Sequence, residues 1–287
     1  MEPHPVVKQF LIWAEGQVNI RTVLLVGSRA IPAAPVDAWS DYDLALFVGN
    51  PEVLAASNDW LNRFGDIMIQ LPEKVDFEGK FYPSRLVIYQ DGPKIDFAVY
   101  GVEVLKAILA GETLPVWMQP AYQVLLDKDN LVEQLPEISG IRSFQTPPTE
   151  SEYLAAVNEF FWELIYLLKN LQREDLWLAR YNESVLREQL LRMLEWLEWS
   201  RHGWSYSTGY LGRDMKNWLD PKLYKLVKKT FAGAEILEDH SAIEYMLRLV
   251  RISAEEIADD LGYTYPEQLD LKVMAYITKC WRENENI

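Results

Sequence analysis

Three aspartates and a glycine-serine pair are the residues of this chain best suited to chemistry. Gly27-Ser28 stands at the end of the apolar run RTVLLV, and Asp41-Tyr42-Asp43 stands at the start of a second run, DLALFV. A small-residue turn at a strand end lets backbone N–H groups approach a phosphate closely. Carboxylates spaced i, i+2 on an extended segment project to one side, about 7 Å apart at the backbone. That spacing suits hard divalent cations bound to a triphosphate. Asp96, in KIDFAVY, supplies a third carboxylate if its strand pairs beside the one carrying Asp41 and Asp43. Two of the three would then ligate Mg²⁺, and the third would complete the site and accept a proton from an attacking hydroxyl. A D-x-D pair alone is common by chance. Its combination with Gly27-Ser28 and a third strand aspartate points to phosphate chemistry, nucleotidyl transfer in particular.

The elements that must position these residues are read from periodicity. Residues 5–17 place Val6, Phe10 and Trp13 at helical spacing, and strands are expected over 21–26, 43–48 and 66–71. A helix is expected over 53–64. The turn Gln90-Asp91-Gly92-Pro93 implies a hairpin of 86–89 with 95–100, followed by a helix over 102–110 and a last strand over 122–127. Residues 141–150, with Pro147-Pro148, read as a linker between a domain over 1–140 and a second over 151–287. Beyond the linker the period becomes 3.6 residues, with helices expected over 152–171, 183–200, 221–231, 241–261 and 265–278. The expected class is α+β: a mixed α/β domain followed by a helical bundle.

Composition narrows the partners. The 287 residues carry 28 basic and 43 acidic side chains, a net charge of −15 that repels a nucleic-acid backbone and favours a cationic small molecule. A single cysteine, Cys280, excludes an internal disulfide and fits a reducing cytoplasm, and three scattered histidines make a zinc cluster implausible. No apolar run reaches the length of a membrane span. Within this acidic chain, Arg213, Lys216, Lys222, Lys225, Lys228 and Lys229 face only Asp214 and Asp220, and Gly209 and Gly212 lie just before them. Arg213 and Lys216 are read as triphosphate ligands, and the later lysines as a solvated helix face. Glu152, Glu159 and Glu163 share a helical face, and with Glu174 and Asp175 could meet a polycation; most of the tryptophans of this half are read as core.

The run IRTVLLVGSRAIPAAPVDAWSDYDLALFV resembles the signature of the aminoglycoside 6-adenylyltransferases, the streptomycin-modifying nucleotidyltransferases, including Pro32, Pro35 and Asp37 inside its loop. QDGPKIDFAVY is similar to that family's E-D-G-x-x-I-D strand, and KNLQREDLWLAR, LLRMLEW, GYLGRDMKNWL and LGYTYP match further segments in order. Ile31 stands where the family commonly has Asn, and Arg213 where it has Lys. The resemblance implies a two-domain enzyme with a nucleotidyltransferase-type first domain, binding ATP and the drug between its domains. It would move AMP from Mg-ATP to a streptomycin hydroxyl, as a monomer or weak homo-oligomer. By matching position it implies Asp41 and Asp43 as Mg²⁺ ligands, Asp96 as general base and further ligand, and Gly27, Ser28 and Arg29 at the triphosphate. Glu163, Glu174 and Asp175 are the carboxylates expected at the aminoglycoside. Alternatives are another small acceptor or a non-catalytic nucleotide-binding relative.

Overall fold

The structure, a computed structural model, describes residues 3–32, 36–111, 114–119, 121–135, 145–231, 233 and 236–284. Pro35 and residues 141–144 of the expected linker lie outside the described residues. The chain forms two compact units, Met1–Ile141 and Arg142–Ile287.

In the first unit, α1 (Pro5–Gly16) precedes β1 (Ile20–Val26) and β2 (Tyr42–Val48). Next come α2 (Pro51–Ala55), β3 (Ile67–Phe77), β4 (Lys80–Tyr89), β5 (Lys94–Gly101), α3 (Val102–Ala110) and β6 (Gln123–Asp127). The six strands form one sheet in the order β3-β4-β5-β2-β1-β6, antiparallel except for the parallel β2–β5 pair. Strand alternation divides the apolar residues between two cores. Val23, Leu25, Leu44, Leu46 and Phe97 pack with Val7, Phe10 and Ala14 of α1 on one face. Leu24, Val26, Ala45, Phe47 and Tyr100 pack with Val104, Leu105 and Ile108 of α3 on the other. The near-continuous burial of β1 and β2 is that of central strands covered on both faces.

Two elements differ from the sequence reading. The helix expected over 53–64 stops at Ala55 and resumes only as a 3₁₀ turn at Leu61–Arg63. Short polar side chains compete for the backbone between them. Ser57 Oγ accepts from the Asp59 N–H, while Arg85 of β4 donates to Asn58 Oδ1 and to the Ala55 carbonyl. The strand expected over 66–71 runs on to Phe77 and folds back through Glu78-Gly79, both at positive φ, into a long β3–β4 hairpin. Pro72 is accommodated because β3 is the sheet edge. Pro83 lies one residue beyond the last β4–β5 pair, Ser84 with Ala98.

The second unit contains α4 (Glu150–Gln172), α5 (Leu176–His202), α6 (Met215–Trp218), α7 (Pro221–Val227), α8 (Ile236–Leu261) and α9 (Glu267–Asn284). Thr149 and Glu152 close a capping box at the start of α4, so Glu152 is spent on the helix end rather than on a shared acidic face. α5 packs against α4 and α8 around Phe160, Leu164, Leu186, Met193, Leu197, Met246 and Val250. Trp218 is core, whereas Trp162 and Trp177 remain exposed. Among the described residues no helix is long and apolar enough to cross a membrane.

Candidate active site

The parallel pairing of β2 with β5 puts Asp43 directly beside Asp96. Both project from the face that α3 covers further along, since Ala45 and Phe47 continue the alternation from Asp43, and Ala98 and Tyr100 continue it from Asp96. Asp41 precedes β2 by one residue, and Lys94 begins β5 on the same side as Asp96. The Lys94 ammonium bridges Asp41 Oδ2 and Asp96 Oδ2, 2.8 Å from each. Burial works against that ammonium, yet its hydrogen bonds to Asp41 and Asp96 prevail and hold its pKa above the ordinary lysine value. Asp96 Oδ1 is buried and has no hydrogen-bond partner.

Gly27 follows the last residue of β1, Val26, which pairs with Asp43. Its φ of 68° lies where a side chain is strained, and a Cβ there would fall 2.1 Å from Asp43 Oδ2. Glycine is thus required twice over, by the turn and by the carboxylate lying on it. The 3₁₀ turn Ser28–Ala30 carries the chain away from that point.

Arg29, expected at the triphosphate, is engaged elsewhere. Its guanidinium donates to the carbonyls of Asp37, Ser40 and Asp41 at 2.8–3.1 Å and lies 4.1 Å from the centre of the Tyr42 ring. The Tyr42 hydroxyl in turn accepts from the His4 N–H at 3.1 Å. Asp37 folds the loop back on itself, its Oδ1 accepting from the Trp39 N–H and the Ser40 hydroxyl at 2.9 Å each. The Ser40 hydroxyl and the Trp39 N–H hold the Asp37 carboxyl below its usual pKa. Asp41 is therefore held in place through its own backbone. A cavity of about 570 Å³ lined by His4, Arg29, Asp37, Tyr42 and Asp91 does not include the three aspartates.

The expected site residues of the helical unit fall in three places. Arg213 and Lys216 are exposed; Arg213 lies within, and Lys216 two residues after, a segment in which Gly209, Leu211, Gly212 and Asp214 all have positive φ. Glu174, also at positive φ, and Asp175 form the exposed turn between α4 and α5. Glu163 accepts from Asn182 Nδ2 at 2.9 Å, and Asn170 donates to Asn182 Oδ1 at 2.7 Å, a largely buried chain joining α4 to α5. The helix rise separates Glu163 from Glu174 by roughly 15 Å, so these carboxylates do not form one cluster. Sequence reasoning overlooked Lys94, although its i−2 spacing from Asp96 on a strand places it on that face. It also overlooked Glu195, whose pKa burial raises and which accepts from the Thr208 hydroxyl at 3.3 Å.

The donor chemistry of the strand ends fits magnesium. The candidate ligands are hard oxygens, two of them already bind a cationic group, and one Asp96 oxygen is buried without a donor. As they stand, no three acidic, histidine or cysteine side chains among the described residues are grouped closely enough to hold a metal, and Lys94 stands between two of the candidates.

Comparison with known proteins identifies relatives along nearly the whole chain. The family model described as Streptomycin adenylyltransferase matches residues 3–280. An aminoglycoside 6-adenylyltransferase of Campylobacter jejuni is 28% identical over 275 residues, covering 94% of this chain and 92% of that protein. One from Bacillus subtilis (strain 168) is 29% identical over 264 residues, covering 90% of each. A crystal structure of an aminoglycoside 6-adenyltransferase from Bacillus subtilis is 24% identical and covers 96% of this chain and 97% of that one. Its TM-score of 0.47 is too low for the overlay to add to the family match.

Proposed function

The chain belongs to the streptomycin adenylyltransferase family and is an enzyme of that kind, and from that premise we propose that it moves AMP from Mg-ATP to a hydroxyl of an aminoglycoside. The acceptor we propose is streptomycin, modified at its 6-position and thereby inactivated as an antibiotic. The observation that carries this reading is the juxtaposition of Asp43 and Asp96 on parallel strands, above the Gly27 turn and next to Asp41.

Each residue has a separable task. Asp96 takes the proton from the acceptor hydroxyl as its oxygen bonds to the α-phosphorus. The bond between the α-phosphorus and the bridging oxygen breaks, and pyrophosphate leaves with the bonding electrons. Gly27 and Ser28 bring main-chain N–H groups to the triphosphate. Asp41 and Asp43, with Asp96, would hold magnesium, which when bound would neutralise phosphate charge. Arg29 acts through the 37–41 loop carbonyls, so it is a positioning residue rather than a phosphate ligand. Arg213 and Lys216 compensate the triphosphate charge, and Glu163, Glu174 and Asp175 are the carboxylates available to a polycationic acceptor. A net charge of −15 supports a cationic small-molecule acceptor over a nucleic acid, and one cysteine suits a reducing cytoplasm.

The test is pyrophosphate release from MgATP with a panel of acceptors. Release that requires streptomycin supports the full proposal. Release with other aminoglycosides or another small acceptor, but none with streptomycin, retains the donor half and replaces the acceptor. ATP binding without release for any acceptor contradicts the catalytic assignment.

A further inference from the structure

Lys94 is left unused by the adenylyl-transfer reading, although it sits among its central residues. Its ammonium donates to Asp41 Oδ2 and Asp96 Oδ2 at 2.8 Å each, two oxygens to which that reading gives a divalent cation. Lys94 and Asp96 stand two apart on β5, so the pleat sends both to one side of the sheet. Asp41 is the loop residue just before the neighbouring strand β2, held by the Arg29 clamp on its carbonyl. The bridge therefore ties together two carboxylates that are 55 residues apart in sequence and would otherwise repel one another.

The chemistry of the lysine suits a temporary tenant. An ammonium is a compact point charge on a flexible four-carbon stem, able to leave without any backbone change. Its side chain is about a third exposed, with a path to water. A single positive charge is also a weaker occupant than a divalent ion carried in with a nucleotide. The buried, unpartnered Asp96 Oδ1 is a remaining acceptor that the ammonium does not serve.

We propose that Lys94 is a built-in counter-ion and positioning residue: it fills the cation position between Asp41 and Asp96 before metal-nucleotide arrives, then yields it on loading. This rests on the reading that Asp41, Asp43 and Asp96 receive a divalent cation. It follows that free metal ions, which must expel the ammonium unaided, bind the nucleotide-free enzyme weakly. Metal entry is thereby coupled to nucleotide entry.

The experiment is a titration of nucleotide-free protein with Mn²⁺, following free Mn²⁺ by electron paramagnetic resonance, for wild type, Lys94→Met and Lys94→Arg. Lys94→Met should bind free Mn²⁺ at least about tenfold more tightly than wild type, because the competing charge is gone. Its melting temperature in EDTA should fall and recover on adding Mn²⁺. Lys94→Arg keeps the charge and should keep free-ion binding weak. Lys94→Gln serves in the same titration if Lys94→Met does not fold. Mn²⁺ binding by the neutral variant that equals or falls below wild type overturns the inference. If MnATP binds wild type in equilibrium dialysis and does not bind Asp43→Asn, that failure concerns Lys94 alone. If none of the proteins retains Mn²⁺, free or as MnATP, in that dialysis, the metal-site reading falls and the inference with it.

Discussion

Gly27→Ala is the perturbation whose effect can be worked most fully from the structure. Gly27 has φ 68° and ψ −158°, a region in which a residue with a Cβ is strained by about 1–3 kcal/mol. The added methyl also falls 2.1 Å from Asp43 Oδ2 and 2.9 Å from its Cγ. The Asp43 carboxylate must retreat by roughly 1 Å to reach an ordinary contact, and a misplacement of that size at a reacting centre costs about 10²-fold in rate. For a unit of this size the strain alone lowers the melting temperature by roughly 3 to 10 °C. Gly79→Ala is the control for a methyl added at positive φ. Its φ of 82° also lies where a side chain is strained, but nothing lies within 4 Å of the new methyl, at the tip of the β3–β4 hairpin. Both variants should therefore lose stability in thermal melts, while only Gly27→Ala loses about 10²-fold in pyrophosphate release at a temperature where both are folded. Equal turnover in the two variants would refute the claim that the Gly27 turn sets the Asp43 carboxylate.

Asp96→Asn should cut turnover by about 10²- to 10⁴-fold, the usual contribution of a general base, while ATP still binds by calorimetry. Wild-type turnover in that variant would remove Asp96 from the chemistry. Lys216→Ala should raise the apparent KM for ATP several-fold more than that for the aminoglycoside, as expected of a charge partner to the triphosphate; the reverse ratio would assign Lys216 to the acceptor. In the helical unit, burial would raise the Asp270 carboxyl, but hydrogen bonds from Arg251 and Tyr265 prevail and hold it below its ordinary pKa. A carboxylate depressed on folding contributes stability that is complete above its unfolded pKa and is lost as pH falls through the folded one. Asp270→Asn should therefore destabilise by about 2 kcal/mol at pH 7 and by much less in strong acid, as read by denaturant titration at the two pH values.

Much of this arrangement is legible in the amino-acid sequence, because its signals are local. The break from RTVLLV into Gly27-Ser28, and the aspartates opening DLALFV, place carboxylates at strand ends by alternation alone. The long helices α4, α5, α8 and α9 announce themselves through apolar residues at a 3.6-residue period. What is not legible depends on distant partners. Nothing in the type of Arg29 tells that its donors go to the carbonyls of Asp37, Ser40 and Asp41, since every residue has a carbonyl. The break after Ala55 owes as much to Arg85, thirty residues on, as to Ser57 and Asn58. Pro72 argues against a strand until the sheet order makes β3 an edge, and Pro83 until the β4–β5 pairing is seen to stop at Ser84. Lys94 looks like one more surface lysine until β5 pairs beside β2 and brings Asp41 within reach of it.

Asp43, beside Asp96 and over Gly27, is the residue on which adenylyl transfer to an aminoglycoside should depend most directly. Mass spectrometry of streptomycin incubated with MgATP and enzyme measures that directly. Wild type should add one adenylyl group per drug molecule, and Asp43→Asn, with an unchanged circular dichroism spectrum, should add none in the same time. Adenylylation by Asp43→Asn at the wild-type rate would contradict the account.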